Sequence, residues 1–165
     1  WKVNESLPLF LVKQLKKLVD LKNKKVLVLG LAFKPNVDDT RESLSFKIIK
    51  ALEREHAKII LHDPYINEYP GREIEKDLDK ALGKADITIV ATRHNYYLKN
   101  KNKIAGKLKT SSYVSDVWNI FGINKLTFKA SEIKPKNKKL TSRLNGKSMK
   151  KSIGKPRQIS HQSLS

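Results

Sequence analysis

Short apolar runs alternate with amphipathic segments along most of the chain, and this alternation predicts a mixed α/β fold. Four runs have the length and apolar content of buried strands, namely residues 25–30, 58–62, 86–91 and 112–116. Helical spacing of apolar positions predicts helices at residues 41–55 and 73–83, and a helix or irregular segment at 96–108. A further amphipathic helix, residues 4–22, leads into the first strand. Strands and helices in this order are typical of βαβ units, so we expect a three-layer, Rossmann-like sandwich with a parallel sheet.

Charge divides the chain into two parts. Its 165 residues include 35 Lys and Arg and 16 Asp and Glu, a formal net charge of +19. Residues 125–165 hold 12 of the basic residues and one acidic residue, and no aromatic residue follows Phe128. Such a segment has too little apolar surface to offset the entropy lost on ordering. We therefore expect a folded domain that ends near Phe128 and a flexible, disordered basic tail at residues 129–165.

Composition narrows the classes of protein that the chain represents. No window approaches the roughly 18 uncharged apolar residues of a membrane span, and the N-terminal sequence lacks the pattern of a secretory signal. With no cysteine, the chain has no disulfide, zinc-thiolate site or thiol nucleophile. No group of His, Asp and Glu has metal-ligand spacing, so no metal site is predicted. We expect a cytoplasmic protein without membrane contact.

The loop after the first strand is where a ligand is expected, because α/β sheets bind ligands at the carboxyl ends of their strands. Gly30 is the only glycine in the first 70 residues, so the G-x-G-x-x-G turn that holds NAD is absent. The loop instead carries Lys34, followed by Asp38, Asp39 and Arg41 at the predicted helix start. A cation beside a helix N-terminus can hold phosphate or carboxylate groups.

A purely structural interpretation of the same loop stays open, and spacing alone favours it. In that interpretation the lysine is solvated and Arg41 pairs with Asp38. Asp39 or Thr40 caps the helix, and Glu42 lies where the last residue of a capping box is expected.

Three longer stretches carry a more specific signal: GLAFKPNVDDTRES (30–43), KADITIVATRHNYY (84–97) and VSDVWNIFG (114–122). Together with HDPY after the second strand and VNESLP near the start, they resemble the C-terminal domain of the UDP-glucose/GDP-mannose dehydrogenase family. The resemblance covers about residues 1–128.

The resemblance implies a function and a domain arrangement. Members of this family are NAD-dependent enzymes that oxidise the C6 alcohol of a nucleotide sugar twice, through a cysteine thioester, to the uronic acid. Residues 1–22 would be the end of the helix that links the central, dimer-forming domain, and residues 23–128 the UDP-sugar-binding domain. By resemblance, Phe33 and Lys34 contact the UDP-sugar, and Arg41 reaches toward the NAD of a neighbouring subunit.

Two parts of the family's enzyme have no counterpart in this sequence. The NAD fingerprint and the catalytic cysteine are both missing, and a thioester cannot form without a thiol. We therefore expect the chain to be inactive alone and to depend on an NAD-binding and a central domain, in the same protein or in a second chain. An excised domain, a split gene and a truncated product all fit, and a homodimer would need the central domain.

The sequence also departs from the family at Trp1 and Trp118, where the family usually has basic residues. Trp118 is assigned to the substrate site because its ring can stack on a base or sugar, while packing under the sheet edge stays an equal alternative. His94 either touches the ligand or is structural, with the structural role favoured. His62 is expected to be structural, and Asp63 to end a strand.

Two functional hypotheses follow. The first is the nucleotide-sugar-binding domain of an NAD-dependent UDP-sugar 6-dehydrogenase that acts on UDP-glucose or a UDP-N-acetylhexosamine. The second is a non-catalytic remnant, or a polyanion-binding module acting through its basic tail. Basic segments attract RNA, DNA and anionic lipid, but the tail has no aromatic residue to stack bases, so specific nucleic-acid binding is not favoured.

Overall fold

The computed structural model of the chain describes residues 2–133, with side chains from residue 6 onward. Its helices are α1 (Lys2–Leu18), α2 (Leu44–Arg54), α3 (Leu78–Lys84), α4 (Asn95–Lys99) and α5 (Lys101–Lys107). Its strands are β1 (Lys25–Leu29), β2 (Lys58–His62), β3 (Ile87–Val90), β4 (Tyr113–Asp116) and β5 (Thr127–Lys129), followed by a 3-10 turn at Ala130–Glu132. Most of the predicted basic tail, residues 134–165, lies outside the described residues.

One sheet organises residues 2–133, with its strands in the order β2-β1-β3-β4-β5. The first four strands are parallel, and β5 pairs antiparallel with β4. The chain leaves β1 toward β2 on one side and later returns to β3 on the other side of β1. The switch point of the topology therefore lies between the carboxyl ends of β1 and β3.

Alternate residues of β1 supply the two hydrophobic cores. Val26 and Val28 face the layer formed by α1 and α2, where they pack with residues such as Leu15, Ile48 and Leu52. Leu27 and Leu29 face the opposite layer, where they pack with residues of α3, α4 and α5 such as Leu82, Tyr97 and Ile104. Both faces of the strand are buried, as a parallel sheet covered by helices requires. The predicted three-layer α/β fold is confirmed.

The C-terminal end of the described fold differs from the expectation. Strand β5 was not predicted, since only one of its three residues, Phe128, is apolar, and its pairing makes the sheet mixed rather than fully parallel. Phe128 on β5 and Ala130 at the start of the 3-10 turn are both buried. Ordered structure thus continues past Phe128 to Ile133.

Three helices, α1, α2 and α3, are shorter than the pattern predicts, so the predicted bounds of 4–22, 41–55 and 73–83 are wrong. Helix α1 ends at Leu18, and the chain turns before β1 at Asn23, which lies in the left-handed region with a φ of 63°. Helix α3 begins at Leu78 because the carboxylate of Asp77 caps it by accepting from the amides of the next turn. The segment before it runs beside β2, where Ile74 bridges Leu61.

Candidate functional site

The loop between β1 and α2 crosses the switch point of the sheet, in close contact with the end of β3. Gly30 has a φ of 89°, and a Cβ at this position would lie 2.5 Å from the Cβ of Thr92. The hydroxyl of Thr92 donates to the carbonyl of Ala32 at 2.8 Å. Glycine is therefore required here for the approach of two strand ends, and no glycine-rich phosphate cradle follows it.

The start of α2 is built differently from the sequence prediction. Ser43 is the N-cap, and its hydroxyl accepts from the amide of Phe46 at 3.2 Å. Glu42 lies in the left-handed region, with a φ of 54°, so it is outside the helix. The predicted caps, Asp39 or Thr40 with Glu42, are wrong because the chain makes a further turn before the helix begins.

Asp39 instead holds Arg41 in a two-pronged ion pair. The Nε and NH2 groups of Arg41 donate to the two carboxylate oxygens of Asp39 at 2.9 and 2.8 Å. These hydrogen bonds lower the pKa of Asp39 to about 2. The predicted pairing of Arg41 with Asp38 is wrong, and the Arg41 side chain, 88% exposed, faces solvent.

Phe33 and Lys34 lie side by side at the exposed tip of this loop. Phe33 is half exposed, and the Nζ of Lys34 lies 5.7 Å from the centroid of its ring. The amide of Phe33 donates to the carbonyl of Asp39 at 2.7 Å, which closes the loop on itself. Within the described residues Lys34 forms no ion pair, so its charge is available to an anion. The assignment of Phe33 and Lys34 to a substrate site stays a prediction.

Trp118 follows β4 and lies close to the switch point. Its Nε1 donates to the carbonyl of Ala91 at 2.9 Å, while 48% of the residue is exposed. The hydrogen bond fixes one edge of the indole to the end of β3 and leaves its surface accessible. Asp116, two residues earlier, is buried and accepts from the amides of Ile120 and Phe121 at 3.0 Å. The carboxylate thus shapes the turn that carries Trp118.

A buried carboxylate and a buried imidazole connect the loops at this edge. His94 is fully buried, and its Nε2 lies 3.0 Å from the carboxylate of Asp63. Its Nδ1 accepts from the amide of Asn36 at 2.8 Å. Both nitrogens are occupied within the protein, so the structural role expected for His94 is the one its geometry fits.

Asp63 remains ionised inside the protein. Burial raises the pKa of Asp63, but hydrogen bonds from His94 and from the amides of Leu31 and Tyr65 outweigh burial, so the pKa lies below its usual value. Asp63 therefore acts as a buried hydrogen-bond acceptor in addition to ending a strand.

His62 and Tyr97 form a second buried pair beneath the site. The hydroxyl of Tyr97 donates to the carbonyl of His62 at 2.8 Å and lies 2.9 Å from the Nδ1 of the same histidine. Burial lowers the pKa of His62 and raises the pKa of Tyr97 well above its usual value. Both rings are uncharged packing elements, as the sequence predicts for His62.

Two exposed residues at this edge were not singled out from the sequence. Arg93 directly follows Thr92 at the end of β3 and forms no ion pair within residues 2–133. Tyr65 follows β2 and is 39% exposed. A cation or an aromatic residue within a few positions of a strand's carboxyl end is the signal that could have identified both.

The described part of the chain contains neither a candidate metal site nor a helix that could span a membrane. There, no three His, Asp or Glu side chains come together to hold a metal ion. None of the helices within residues 2–133 is long and apolar enough to cross a membrane.

Comparison with known proteins decides the family. Residues 27–123 match the model of the UDP binding domain of the UDP-glucose/GDP-mannose dehydrogenase family. The chain belongs to this family. The matched segment begins in β1, ends after Trp118, and includes Phe33, Lys34 and Arg41, so the resemblance found in the sequence is confirmed.

Several dehydrogenases are similar to this chain in both sequence and structure. The UDP-N-acetyl-D-mannosamine dehydrogenase of Methanocaldococcus jannaschii is 36% identical over 125 residues, which cover 72% of this chain and 28% of that protein. The structure of the UDP-N-acetyl-mannosamine dehydrogenase from Staphylococcus aureus superposes with a TM-score of 0.60 at 30% identity, covering 72% and 28% of the two chains. A UDP-glucose dehydrogenase from Pyrobaculum islandicum superposes with a TM-score of 0.58 at 31% identity, covering 70% and 27%. The chain thus spans less than a third of the length of these relatives.

Proposed function

We propose that this chain binds the UDP portion of a UDP-sugar at the carboxyl edge of its sheet, as one part of an NAD-dependent UDP-sugar 6-dehydrogenase. Residues 23–128 would form the binding domain, and residues 1–22 the end of the helix that links it to a central domain. The complete enzyme would be a cytoplasmic oxidoreductase that converts UDP-glucose or a UDP-N-acetylhexosamine to the uronic acid for polysaccharide biosynthesis.

One observation carries this proposal. The segment that matches the family's UDP binding domain contains an exposed lysine, without an ion pair among the described residues, next to an exposed aromatic ring at the switch point of the sheet. This is the place where ligands bind in open α/β folds.

The chemistry of the exposed side chains suits a nucleoside diphosphate. The ammonium of Lys34 would neutralise the diphosphate, and Phe33 beside it would contact the uracil or ribose. Trp118, with one edge held by Ala91, would offer a fixed surface for stacking a base or sugar ring. A tryptophan cannot replace the forked hydrogen bonding of a basic side chain, so recognition at position 118 would rest on stacking.

NAD does not fit this chain in the usual Rossmann manner. The loop from Gly30 to Ser43 has one glycine, which faces Thr92, and the first turn of α2 is already capped by a serine hydroxyl. The backbone of this loop therefore cannot approach a pyrophosphate as closely as the glycine-rich turn of a Rossmann domain does. In the proposed enzyme NAD binds to a separate domain, and Arg41, exposed and pointing to solvent, would reach toward the NAD of a neighbouring subunit.

The oxidation itself would also require another part of the enzyme. The sequence has no cysteine, and the family's thioester needs a thiol. We expect the chain alone to bind UDP and to leave NAD unreduced.

Calorimetric titration of UDP into the full 165-residue chain tests the proposal. A Lys34→Ala variant should bind UDP about 10-fold or more weakly, the typical effect of losing a hydrogen bond to a charged group. Lys58→Ala is the matched control, because Lys58 begins β2 at the opposite edge of the sheet and its loss should leave the affinity unchanged. Equal affinity of all three proteins, or no binding by the unchanged chain, contradicts the proposal. Tight, salt-sensitive RNA binding in place of UDP binding would support the polyanion-binding alternative.

A further inference from the structure

One buried carboxylate anchors the loop that carries Phe33 and Lys34 at two points. Oδ2 of Asp63 accepts from the amide of Leu31 at 2.7 Å and from Nε2 of His94 at 3.0 Å. Oδ1 of the same carboxylate accepts from the amides of Tyr65 and Ile66 at 2.7 and 3.0 Å, which fixes its orientation. Asp63 thus holds the start of the loop directly and its middle through His94.

His94 makes the second anchor with its other ring nitrogen. The amide of Asn36 donates to Nδ1 of His94 at 2.8 Å, so Nδ1 carries no proton and Nε2 carries the one given to Asp63. Asn36 has a φ of 62°, a conformation that asparagine tolerates better than most residues. Its Oδ1 also accepts from the amide of Asn95 at 2.9 Å, in the first turn of α4.

The exposed pair lies between these two anchors along the chain. Leu31 is tied to Asp63, Asn36 is tied to His94, and Phe33 and Lys34 occupy positions between them. The side chains proposed to hold the nucleotide are therefore positioned by hydrogen bonds from the loop to two buried side chains, Asp63 and His94.

We propose that His94 is a positioning residue for the Phe33–Lys34 site, and that protonation of His94 releases this loop and weakens nucleotide binding. The inference rests on the proposed function for its binding readout. On protonation, Nδ1 gains a hydrogen and no longer accepts, so the amide of Asn36 faces a second donor. The middle of the loop then loses its hydrogen bond to His94 and keeps only the contacts of the Asn36 side chain, such as the one from the amide of Asn95, while Asp63 keeps its bond to Nε2.

His94 is fully buried and faces groups from several elements. The carboxylate of Asp63, at the end of β2, lies at its Nε2, and the amide of Asn36 lies at its Nδ1. Tyr65 and Tyr97 pack against the imidazole with ring centroids 5.0 and 5.7 Å away. Burial raises the pKa of Tyr97 well above its usual value.

Two variants of the full chain separate the two hydrogen bonds of His94. In His94→Asn, the amide oxygen takes the place of Nδ1 and can accept from Asn36, but the donor to Asp63 is lost. In His94→Gln, the amide nitrogen takes the place of Nε2 and can donate to Asp63, but the acceptor for Asn36 is lost. Neither side chain titrates in the range where histidine does.

The first readout is the affinity for UDP-glucose between about pH 5 and pH 8. UDP-glucose is preferred to UDP because a terminal phosphate titrates near pH 6 itself, whereas a doubly esterified diphosphate does not. In the unchanged chain the affinity should fall about fivefold or more at the acidic end, the effect of one lost hydrogen bond. His94→Asn should keep the neutral-pH affinity at all pH values, and His94→Gln should bind about fivefold more weakly throughout.

These expectations differ from those of a merely structural histidine. His94→Asn removes a donor from a buried carboxylate, so it should be the less stable variant and yet the better binder. If affinity instead follows stability across the three proteins, or if the pH profile of His94→Asn matches that of the unchanged chain, the inference is overturned.

Hydrogen exchange of the Asn36 amide, measured by NMR, is a second readout that needs no ligand. Its protection factor in the unchanged chain should fall at least about fivefold on acidification and should be low at all pH values in His94→Gln. Protection that does not change with pH overturns the inference, even if neither variant folds. Pronounced His94-dependent protection without any UDP-glucose binding would reject only the proposed function, while Lys34-dependent binding that ignores His94 would reject only the positioning role.

Discussion

Gly30 and Thr92 touch where β1 and β3 end, so closely that a Cβ on residue 30 would lie 2.5 Å from the Cβ of Thr92. This contact fixes the spacing between the loop that follows β1 and the loop that follows β3. The hydroxyl of Thr92 then holds the first turn of the β1 loop through the carbonyl of Ala32. The geometry of the candidate site therefore depends on the absence of a side chain at Gly30, which lets the ends of β1 and β3 lie this close together.

Gly30→Ala is predicted to destabilise the fold. The added methyl must displace Thr92 and adopt a φ of 89°, which together should lower the free energy of unfolding by about 3 kcal/mol. Urea denaturation should show a lower midpoint with an unchanged m-value. Gly83→Ala, in helix α3 with open space around it, is the control and should stabilise by about 0.5 to 1 kcal/mol. A Gly30→Ala midpoint equal to that of the unchanged chain would contradict the prediction.

Ser43→Ala is predicted to weaken the start of α2. Loss of the hydroxyl that accepts from the amide of Phe46 should lower the free energy of unfolding by about 1 kcal/mol. Asp39→Asn is the comparison, since the sequence pattern made Asp39 a candidate cap. The ion pair of Asp39 with Arg41 is exposed, so this variant should unfold like the unchanged chain. If Asp39→Asn lowers the free energy of unfolding more than Ser43→Ala does, Ser43 is not the residue that caps α2.

Asp63→Asn is predicted to reduce the stability of the fold in a pH-dependent way. Near neutral pH the variant should lose about 2 kcal/mol or more, because an amide group cannot accept from all four donors around Asp63. The pKa of Asp63 in the fold lies below its ordinary value of 3.8, so the unfolded chain takes up the proton first as the pH falls. The stabilisation by this carboxylate is therefore present above about pH 4 and is lost as the pH falls through its lower folded pKa.

Urea denaturation at about pH 7 and about pH 3 measures this effect. The difference between the unchanged chain and Asp63→Asn should narrow at the lower pH. Asp20→Asn, at an exposed position, is the control and should show no such narrowing. A difference that stays constant with pH would mean that Asp63 is not the titrating group.

Trp118 is predicted to report nucleotide binding by its fluorescence. In a Trp1→Phe background Trp118 is the one remaining indole, since the sequence has two tryptophans. Stacking of uracil on its exposed surface should quench the emission, and Lys34→Ala should shift the quenching to higher UDP concentrations. Trp118→Ala should weaken UDP binding by about 1 to 3 kcal/mol, the usual contribution of one stacked base. UDP binding without any change in emission would exclude Trp118 from the contact.

The sequence alone determined the order of β1 to β4 and indicated the family. Four apolar runs became β1 to β4 within a residue or so at each end, because strands buried on both faces admit few polar residues. The stretch from Gly30 to Ser43 is specific enough to indicate the family by itself. Phe33, Lys34 and Trp118 were also chosen from the sequence, and the structure places them at one edge of the sheet.

Only the tertiary structure decided which residues hold that edge together. Asp63 and His94 are 31 positions apart, and Asn36 and His94 are 58 apart, so no local pattern predicts their hydrogen bonds. The cap of α2 was missed for a related reason, since several residues in the segment could cap a helix and the turn at Glu42 selects Ser43. Strand β5 is too short to be recognised in the sequence. It forms because its backbone can pair antiparallel with the edge of β4. Apolar patterning reports which residues are buried, whereas the partners of buried polar groups depend on where the folded chain brings distant segments together.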